Sequence, residues 1–525
     1  MTTVANHNTM AVPAASSWWR VLKNHELALE VALLVSIATI GVIARVIRAG
    51  MLDSFEDGYQ RWWISANLLQ TGQHVDMYSM MTMGNWLPFY DYVGAGLLAI
   101  FGLHNIWAMK GFNIMLSVGL MGLVYVMGRR FSRTTGILAF AFMALSPADI
   151  ILGTTASPDT LGVFSVLVAV YAYTYKPIGQ RWSLVISAFF FLISVATVYE
   201  AWLVLMVFLL FHIIKDRRNV RWKDLLLISA PAFAFCAAWF LYVSQWGFLP
   251  SIIISQTSVD VNYQLQTGTQ PSTLSQLTSF WSAYSAHFFV VFLLSVVYLV
   301  YRGWRRVEGV IYAVFLPALI AYSALHVGQP SPRYVYITIP ISAVFAARAL
   351  TGGAGKLRDT QMWRRLFGQD AWNARKSATV ALSLLFVFTT VTLDTGRVVA
   401  PLNAPGVYLQ PTQRAGEFLA TINVPAGKLV VFESPIAAYY SGLPPTQMIG
   451  SRLLPRDRQA TENFLRASVA YVVYVDVPYY PMEEMFPELA AGNSTGIFTL
   501  VYNANSWEAD FGAHLVYVYA VNGSR

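Results

Sequence analysis

Long apolar blocks run through most of this chain, separated by short polar stretches. A helix crossing the hydrocarbon layer of a bilayer needs about 20 apolar residues, and fewer where neighbouring helices cover it. The pattern predicts spans near 27–49, 107–128, 134–150, 160–175, 182–198, 201–214, 225–244, 286–301, 309–325, 334–350 and 378–394. The apolar segment 88–104 is ambiguous, and counting it as a span would place every later loop on the opposite side. Charge decides the matter, because loops on the cytoplasmic side are enriched in Lys and Arg. With 88–104 lying along the membrane surface, the loops 129–133, 176–181, 215–223, 302–306 and 356–376 fall inside and carry nineteen Lys and Arg residues. The outer loops between spans then hold Arg61 and Arg333, with Lys110 at a border. Arg45 and Arg48, at the outer end of the first span, run against this trend. The expectation is eleven spans, with the N-terminus inside and the C-terminus outside.

The period changes near residue 395. After the Pro-rich stretch 401–411, which reads as a linker, come the strand-like runs KLVVFES (428–434), AYVVYVD (470–476) and HLVYVYAV (514–521), with helical patterns at 412–422 and 457–467 between them. This alternation predicts a small α/β domain over 395–525, outside the membrane. The remainder divides into an N-terminal cytoplasmic tail, 1–26, and a helical module, 27–394, whose first outer loop is 50–106. No internal repeat or low-complexity tract is present.

Composition supports this division. The chain is 56% hydrophobic and only 12% charged, against about 25% charged residues in soluble chains. The net charge of +8 would suit nucleic acid, but the cations sit in the loops between spans, so no nucleic-acid partner is expected. The lone Cys236 lies in an apolar stretch and excludes a disulfide framework or a Cys-based metal site. The first 26 residues lack an apolar core with a small-residue cleavage site, so the first span reads as a retained signal anchor.

The sidedness gathers the unusual polar residues on one face. The first outer loop opens DSFEDGYQRWW, with Asp53, Glu56, Asp57 and Tyr59, and closes GNWLPFYDY, with Trp86 and Asp91. Asp159 lies in TTASPDT, Glu200 in TVYEAW, and His326 and Arg333 in HVGQPSPRYVY. Charged groups at membrane depth are costly and mark substrate or ion paths. Individually, each has a plainer role. Asp53 would be a solvated loop acid, Asp159 a helix N-cap, Glu200 a structural partner of Arg45 or Arg48, and Arg333 a helix-end anchor. His326 would be a structural hydrogen-bonding residue, and Trp62, Trp63 and Trp86 interfacial aromatics. Together they outline a site between the bundle and the outer water, which a transporter's ion relay would share.

On these segments the chain resembles the glycosyltransferase C superfamily, in particular relatives of the protein O-mannosyltransferases and bacterial aminoarabinose transferases. The resemblance runs in order from about 53 to 350. It rests on EDGYQ followed by SANLLQTG, WLPFYDYVGAGLLAIFG, GRRFSRTTGILAFAFMALSP, TTASPDTLGVF, VYEAW and PRYVYITIP. It implies a polyprenyl-phosphate-linked sugar donor, an acceptor hydroxyl on protein, lipid or glycan, and transfer with inversion. The sugar would be a mannose-like hexose or a pentose. It also implies that the first-loop acid is the general base; Glu56 or Asp57 fills that place, in reversed order from the commoner one. Arg333 matches a basic position near the lipid phosphate, and Asp159 would orient donor or acceptor. Glu200, His326, Asp53, Trp86 and Tyr59 are candidate substrate-binding residues. Where the aminoarabinose branch carries a metal-binding acid, two residues before its motif proline, this chain has Trp86, so that metal is not expected; the resemblance implies no other cofactor, and a divalent metal elsewhere stays an open alternative. The competing class is a transporter or flippase, although no inverted repeat is visible; a third is an inactive scaffold that binds lipid-linked glycans.

Overall fold

The structure, a computed structural model, describes residues 15–53, 56–77, 86–215, 217, 220–244, 289–324, 333, 336–358, 409–476, 481–504, 506–508 and 512–523. The predicted span 378–394, His326 and most of the Pro-rich linker lie outside these residues.

The helices follow the apolar blocks. They are α1 (Ala15–Ala49), α2 (Asp57–Thr71), α3 (Phe89–Phe101), α4 (Ile106–Arg129), α5 (Arg133–Ala144), α6 (Pro147–Leu152), α7 (Asp159–Tyr175), α8 (Gln180–Val195), α9 (Glu200–Lys215), α10 (Trp222–Ser244), α11 (Phe289–Tyr301), α12 (Val307–Ala324) and α13 (Ile339–Arg358). Among the described residues, three stretches are long and apolar enough to cross a membrane by themselves: Leu27–Ala49, Ile106–Arg129 and Trp222–Ser244. Along α1 the large apolar side chains Leu29, Val35, Ile40 and Ile43 point outward, as lipid requires.

One predicted span is corrected. Residues 134–150 do not form one helix, because the chain breaks after Ala144 and restarts at Pro147. Pro147 takes the first turn of α6, where its missing N–H costs nothing, and Ser146 caps that helix. The break turns Asp149 into the bundle. There Asp149 accepts hydrogen bonds from Arg45 and Tyr336, and from Ser117 Oγ at 2.6 Å. Arg45, fully buried, also donates to Ser117 Oγ at 2.7 Å and to the carbonyls of Gly41 and Ala144 at 2.8 Å. Arg45 thus pairs with Asp149 rather than with Glu200, and its discordant charge is internal to the bundle. Arg48, also buried, donates to the carbonyl of Leu52 at 3.0 Å.

Basic loops meet at one end of the bundle. Arg130 lies 3.7 Å over the ring of Tyr175, and Arg306 lies 4.4 Å over Phe131. The acidic positions Asp159 and Glu200 begin α7 and α9 at the other end.

Helix α3 packs on α2 and α4. Arg61 of α2 holds it by donating to Asp91 at 2.6 Å, and His74 shares that carboxylate at 2.8 Å.

Residues from 409 onward contain α14 (Leu409–Thr421), β1 (Leu429–Phe432), α15 (Pro435–Tyr440), β2 (Met448–Gly450), α16 (Arg458–Ser468), β3 (Val469–Val475), α17 (Pro481–Met485), β4 (Phe498–Asn503), β5 (Ser506–Glu508), β6 (Gly512–His514) and β7 (Val516–Val521). Five strands form a sheet in the order β2-β1-β3-β7-β4, while β5 and β6 pair separately. β1 is parallel to β2 and β3; β7 runs antiparallel to β3 and β4. The three strand-like runs hold β1, β3 and β7, and alternation sends their side chains to both faces. Val430 and Phe432 join one core with Trp62, Trp63 and Tyr90, whereas Val431 faces a second core with Val472 and Tyr519. The sheet unit therefore shares a hydrophobic core with α2 and α3. Its edge also accepts the first loop: the N–H of Gly450 donates to the carbonyl of Met77 at 2.8 Å.

Candidate active site

The start of α2 is shaped by a close approach. A Cβ on Gly58 would lie 2.7 Å from Asp53 Oδ2 and 3.2–3.3 Å from Thr155 and Ala156. Only glycine lets the EDGY turn seat against the loop that carries Asp159.

The two adjacent acids then diverge. Glu56, preceding the helix, accepts a 2.5 Å hydrogen bond from Ser434 Oγ, which lies between β1 and α15. Asp57, the first helical residue, pairs with Arg333. The same guanidinium has its Nε 3.4 Å from Asp159 Oδ1. Glu200, at the start of α9, lines a small pocket with Asp159, Arg333, Val163, Val198 and Ile337. Asp57 and Arg333 are each partly exposed, at 25% and 21% of their side chains, while Asp159 is 8% exposed. A reactant can therefore reach Asp57 and Arg333 from water while Asp159 holds Arg333 from the protein side. Four separate segments converge here.

Trp86 joins through its ring, with Arg61 4.3 Å and Arg333 5.8 Å from the ring centroid. Trp86 thus presents an aromatic face to two guanidiniums.

Two candidates belong to a neighbouring group instead. Asp53 is buried, not a solvated loop acid, and pairs with Lys110 Nζ at 2.8 Å. Lys110 Nζ also donates to the carbonyl of Ala49 at 3.2 Å. Tyr59 is buried among Trp62, Tyr439 and Tyr440. Burial, then the charge of Asp53, pushes its phenol well above the usual tyrosine range, so it remains neutral. Tyr439, pushed up to about 12 chiefly by burial, donates to the carbonyl of His104 at 2.9 Å. This aromatic group joins the sheet unit to the first loop.

Sequence reasoning missed one participant in the site and one buried acid of the bundle. Ser434 lies 378 residues from Glu56 and sits in an ordinary strand-end sequence with no signal. Asp149 was hidden inside an apolar run. Among the described residues, no group of three His, Cys, Asp or Glu could hold a metal ion.

Residues 87–246 match the family described as dolichyl-phosphate-mannose-protein mannosyltransferase. YkcB of Bacillus subtilis, a protein named as a mannosyltransferase, is 29% identical over 137 residues. That match covers 25% of this chain and 19% of YkcB, so the chain spans about a fifth of that relative's length. Likeness of fold reaches much further. ArnT from Cupriavidus metallidurans in the apo state aligns over 96% of this chain and 99% of its own, with TM-score 0.60 and 13% identity. The same protein bound to undecaprenyl phosphate gives TM-score 0.58 at 14% identity, covering 96% of this chain and 98% of its own. The Archaeoglobus fulgidus oligosaccharyltransferase gives 0.55 at 14% identity, covering 85% of this chain and 69% of its own. The chain is a membrane protein, with three helices among the described residues long and apolar enough to cross a bilayer, and it has the fold of these solved structures.

Proposed function

We propose that this protein is a membrane glycosyltransferase that moves a sugar from a polyprenyl-phosphate donor to an acceptor hydroxyl with inversion. The observation that carries the reading is Arg333, held between Asp57 and Asp159 at one end of the bundle. The likeness of fold to ArnT bound to undecaprenyl phosphate supports a lipid-phosphate donor.

In this reading the acceptor oxygen attacks C1 of the sugar as the bond from C1 to the phosphate oxygen breaks. Asp57 accepts the hydroxyl proton. Polyprenyl phosphate leaves with the bonding electrons, and Arg333 neutralises its growing charge through charge-assisted hydrogen bonds. Asp159 positions Arg333, and Glu200 lines the same pocket. His326 is retained as a substrate-binding candidate on sequence grounds. The donor sugar is a mannose-like hexose or a pentose, and the acceptor a protein, lipid or glycan hydroxyl.

The site and the sheet unit lie outside the cytoplasm in this reading, in an eleven-span chain whose N-terminus is inside. The gathering of basic loops at the opposite end of the bundle supports that sidedness.

The test is purified protein supplied with defined polyprenyl-phosphate hexose and pentose donors, with release of polyprenyl phosphate followed over time. Release of one donor's lipid phosphate is expected. Arg333→Ala should weaken donor binding as well as turnover, with partial rescue by Arg333→Lys. If no donor is consumed while the protein carries ions or lipid-linked sugar across a vesicle wall, the transporter reading replaces this one.

A further inference from the structure

Helices α7 and α9 begin at Asp159 and Glu200 and run 17 and 16 residues, about 25 Å at 1.5 Å per residue. Their far ends, Tyr175 and Lys215, border a second cavity of about 1150 Å³. The ends of α11 and α13 and the turn between α11 and α12 close it. Five cations line this cavity: Lys215, Arg302, Arg305, Arg306 and Arg348. The one acid among its described lining residues, Glu308, is buried and accepts a hydrogen bond from Tyr175 at 2.6 Å. Among the described residues, no carboxylate forms an ion pair with any of the five cations.

We propose that this pocket binds the phosphate headgroup of an anionic lipid in the leaflet opposite the candidate active site. Clustered guanidiniums with no acid partner among the described residues repel one another at the edge of a bilayer, and a phosphodiester supplies countercharge and acceptor oxygens. The guanidiniums are also held in place. Arg306 and Arg348 lie 4.4 and 5.3 Å over the ring of Phe131, and Arg306 donates to Tyr175 Oη at 3.3 Å. A membrane lipid fits better than a soluble phosphate because the walls continue into outward-facing apolar surface. On α11, Val297 and Val300 are 63% and 73% exposed; on α9, Leu210 and Ile214 are 51% and 70% exposed. Acyl chains anchored at the headgroup would cover those faces. The site is separate from the transfer chemistry, so its test needs no sugar donor.

The protein is embedded in phosphatidylcholine nanodiscs and titrated with phosphatidylglycerol, with bound lipid counted by native mass spectrometry. Arg305→Gln/Arg348→Gln should weaken phosphatidylglycerol binding by about tenfold or more, as loss of two charge-assisted contacts implies. The control Arg181→Gln/Lys223→Gln removes the same charge from exposed positions at this end of the bundle, outside the pocket, and should leave binding within about twofold. Arg305→Lys/Arg348→Lys should retain part of the affinity, which separates lost charge from lost folding. Equal losses in both Gln pairs would reduce the effect to general surface charge and overturn the proposal. So would unchanged binding in the pocket pair, or displacement of the lipid by inorganic phosphate at matched concentration.

Discussion

Glu56 and Ser434 share a 2.5 Å hydrogen bond across 378 residues of sequence. That bond assigns the two adjacent acids of the first loop to different tasks. Glu56 ties the loop to the sheet unit, while Asp57 turns to Arg333 and partial exposure. The reversed acid order therefore has a spatial meaning: the acid nearer the cation and the water is the second one. The tie also couples the sheet unit mechanically to the residue next to the proposed base.

Asp57→Asn preserves size but removes the proton acceptor, so single-turnover transfer should fall by about 10²–10⁴-fold. Glu56→Gln keeps a carbonyl oxygen for Ser434 and should cost far less, on the order of tenfold at most. Rapid-quench measurement with a saturating donor separates the two. The opposite ranking would give the base to Glu56.

Sidedness has its own test at two exposed positions. Gln73 follows α2 on the loop that joins the sheet edge, and Gln180 begins α8 at the basic end of the bundle. In intact cells, Gln73→Cys should react with a membrane-impermeant maleimide and Gln180→Cys should react only after lysis. The reverse pattern would invert the orientation and put the proposed site in the cytoplasm.

What the sequence disclosed, and what it hid, follows from the range of each interaction. Apolar length is local, so α1, α4 and α10 were readable, as were β1, β3 and β7 from their period of two. The helix α3 was readable from its apolar run, while its expected place along the membrane surface rests on charge bookkeeping alone. The break at Ser146–Pro147 was not, because one acid and one proline barely interrupt a long apolar run. Arg45 stood out as a charge in the wrong place, but its partner lies 104 residues away and only the bundle's packing brings it close. The site residues were legible as a set of acids on one face. Their pairing was not: nothing in EDGYQ distinguishes an acid bound to Arg333 from one bound to Ser434. Asp53 shows the same limit, since its partner Lys110 lies 57 residues on, in α4.

The buried Arg45–Asp149 pair gives a stability prediction. Both side chains are fully buried, and each holds further polar partners. Removing one member leaves an uncompensated charge in the bundle, which costs about 3–5 kcal/mol. Asp149→Asn and Arg45→Met should each lower resistance to unfolding in detergent by that order. The double replacement Arg45→Met/Asp149→Leu should recover much of the loss, because the charges leave together. Additive losses would show that the pair is not the unit that matters.

A pH dependence arises in the sheet unit at Glu433, beside Ser434. Its buried carboxyl accepts the N–H groups of Val475 at 2.9 Å and Met482 at 3.1 Å. Burial outweighs those donors and pushes the group up to about 8, from about 4.3 in an unfolded chain. Between those two values the folded state holds more protons than the unfolded state, so stability falls as pH rises. The contribution is complete below about 4.3 and is gone above about 8. Glu433→Gln cannot titrate; its amide meets one of the two N–H donors, which lowers stability by a constant offset without adding a slope. Hydrogen exchange at the amides of β1 and β3 should therefore show the wild type losing more protection than Glu433→Gln between about pH 5 and about pH 9. Equal losses in the two proteins would mean that Glu433 is already ionised in the fold.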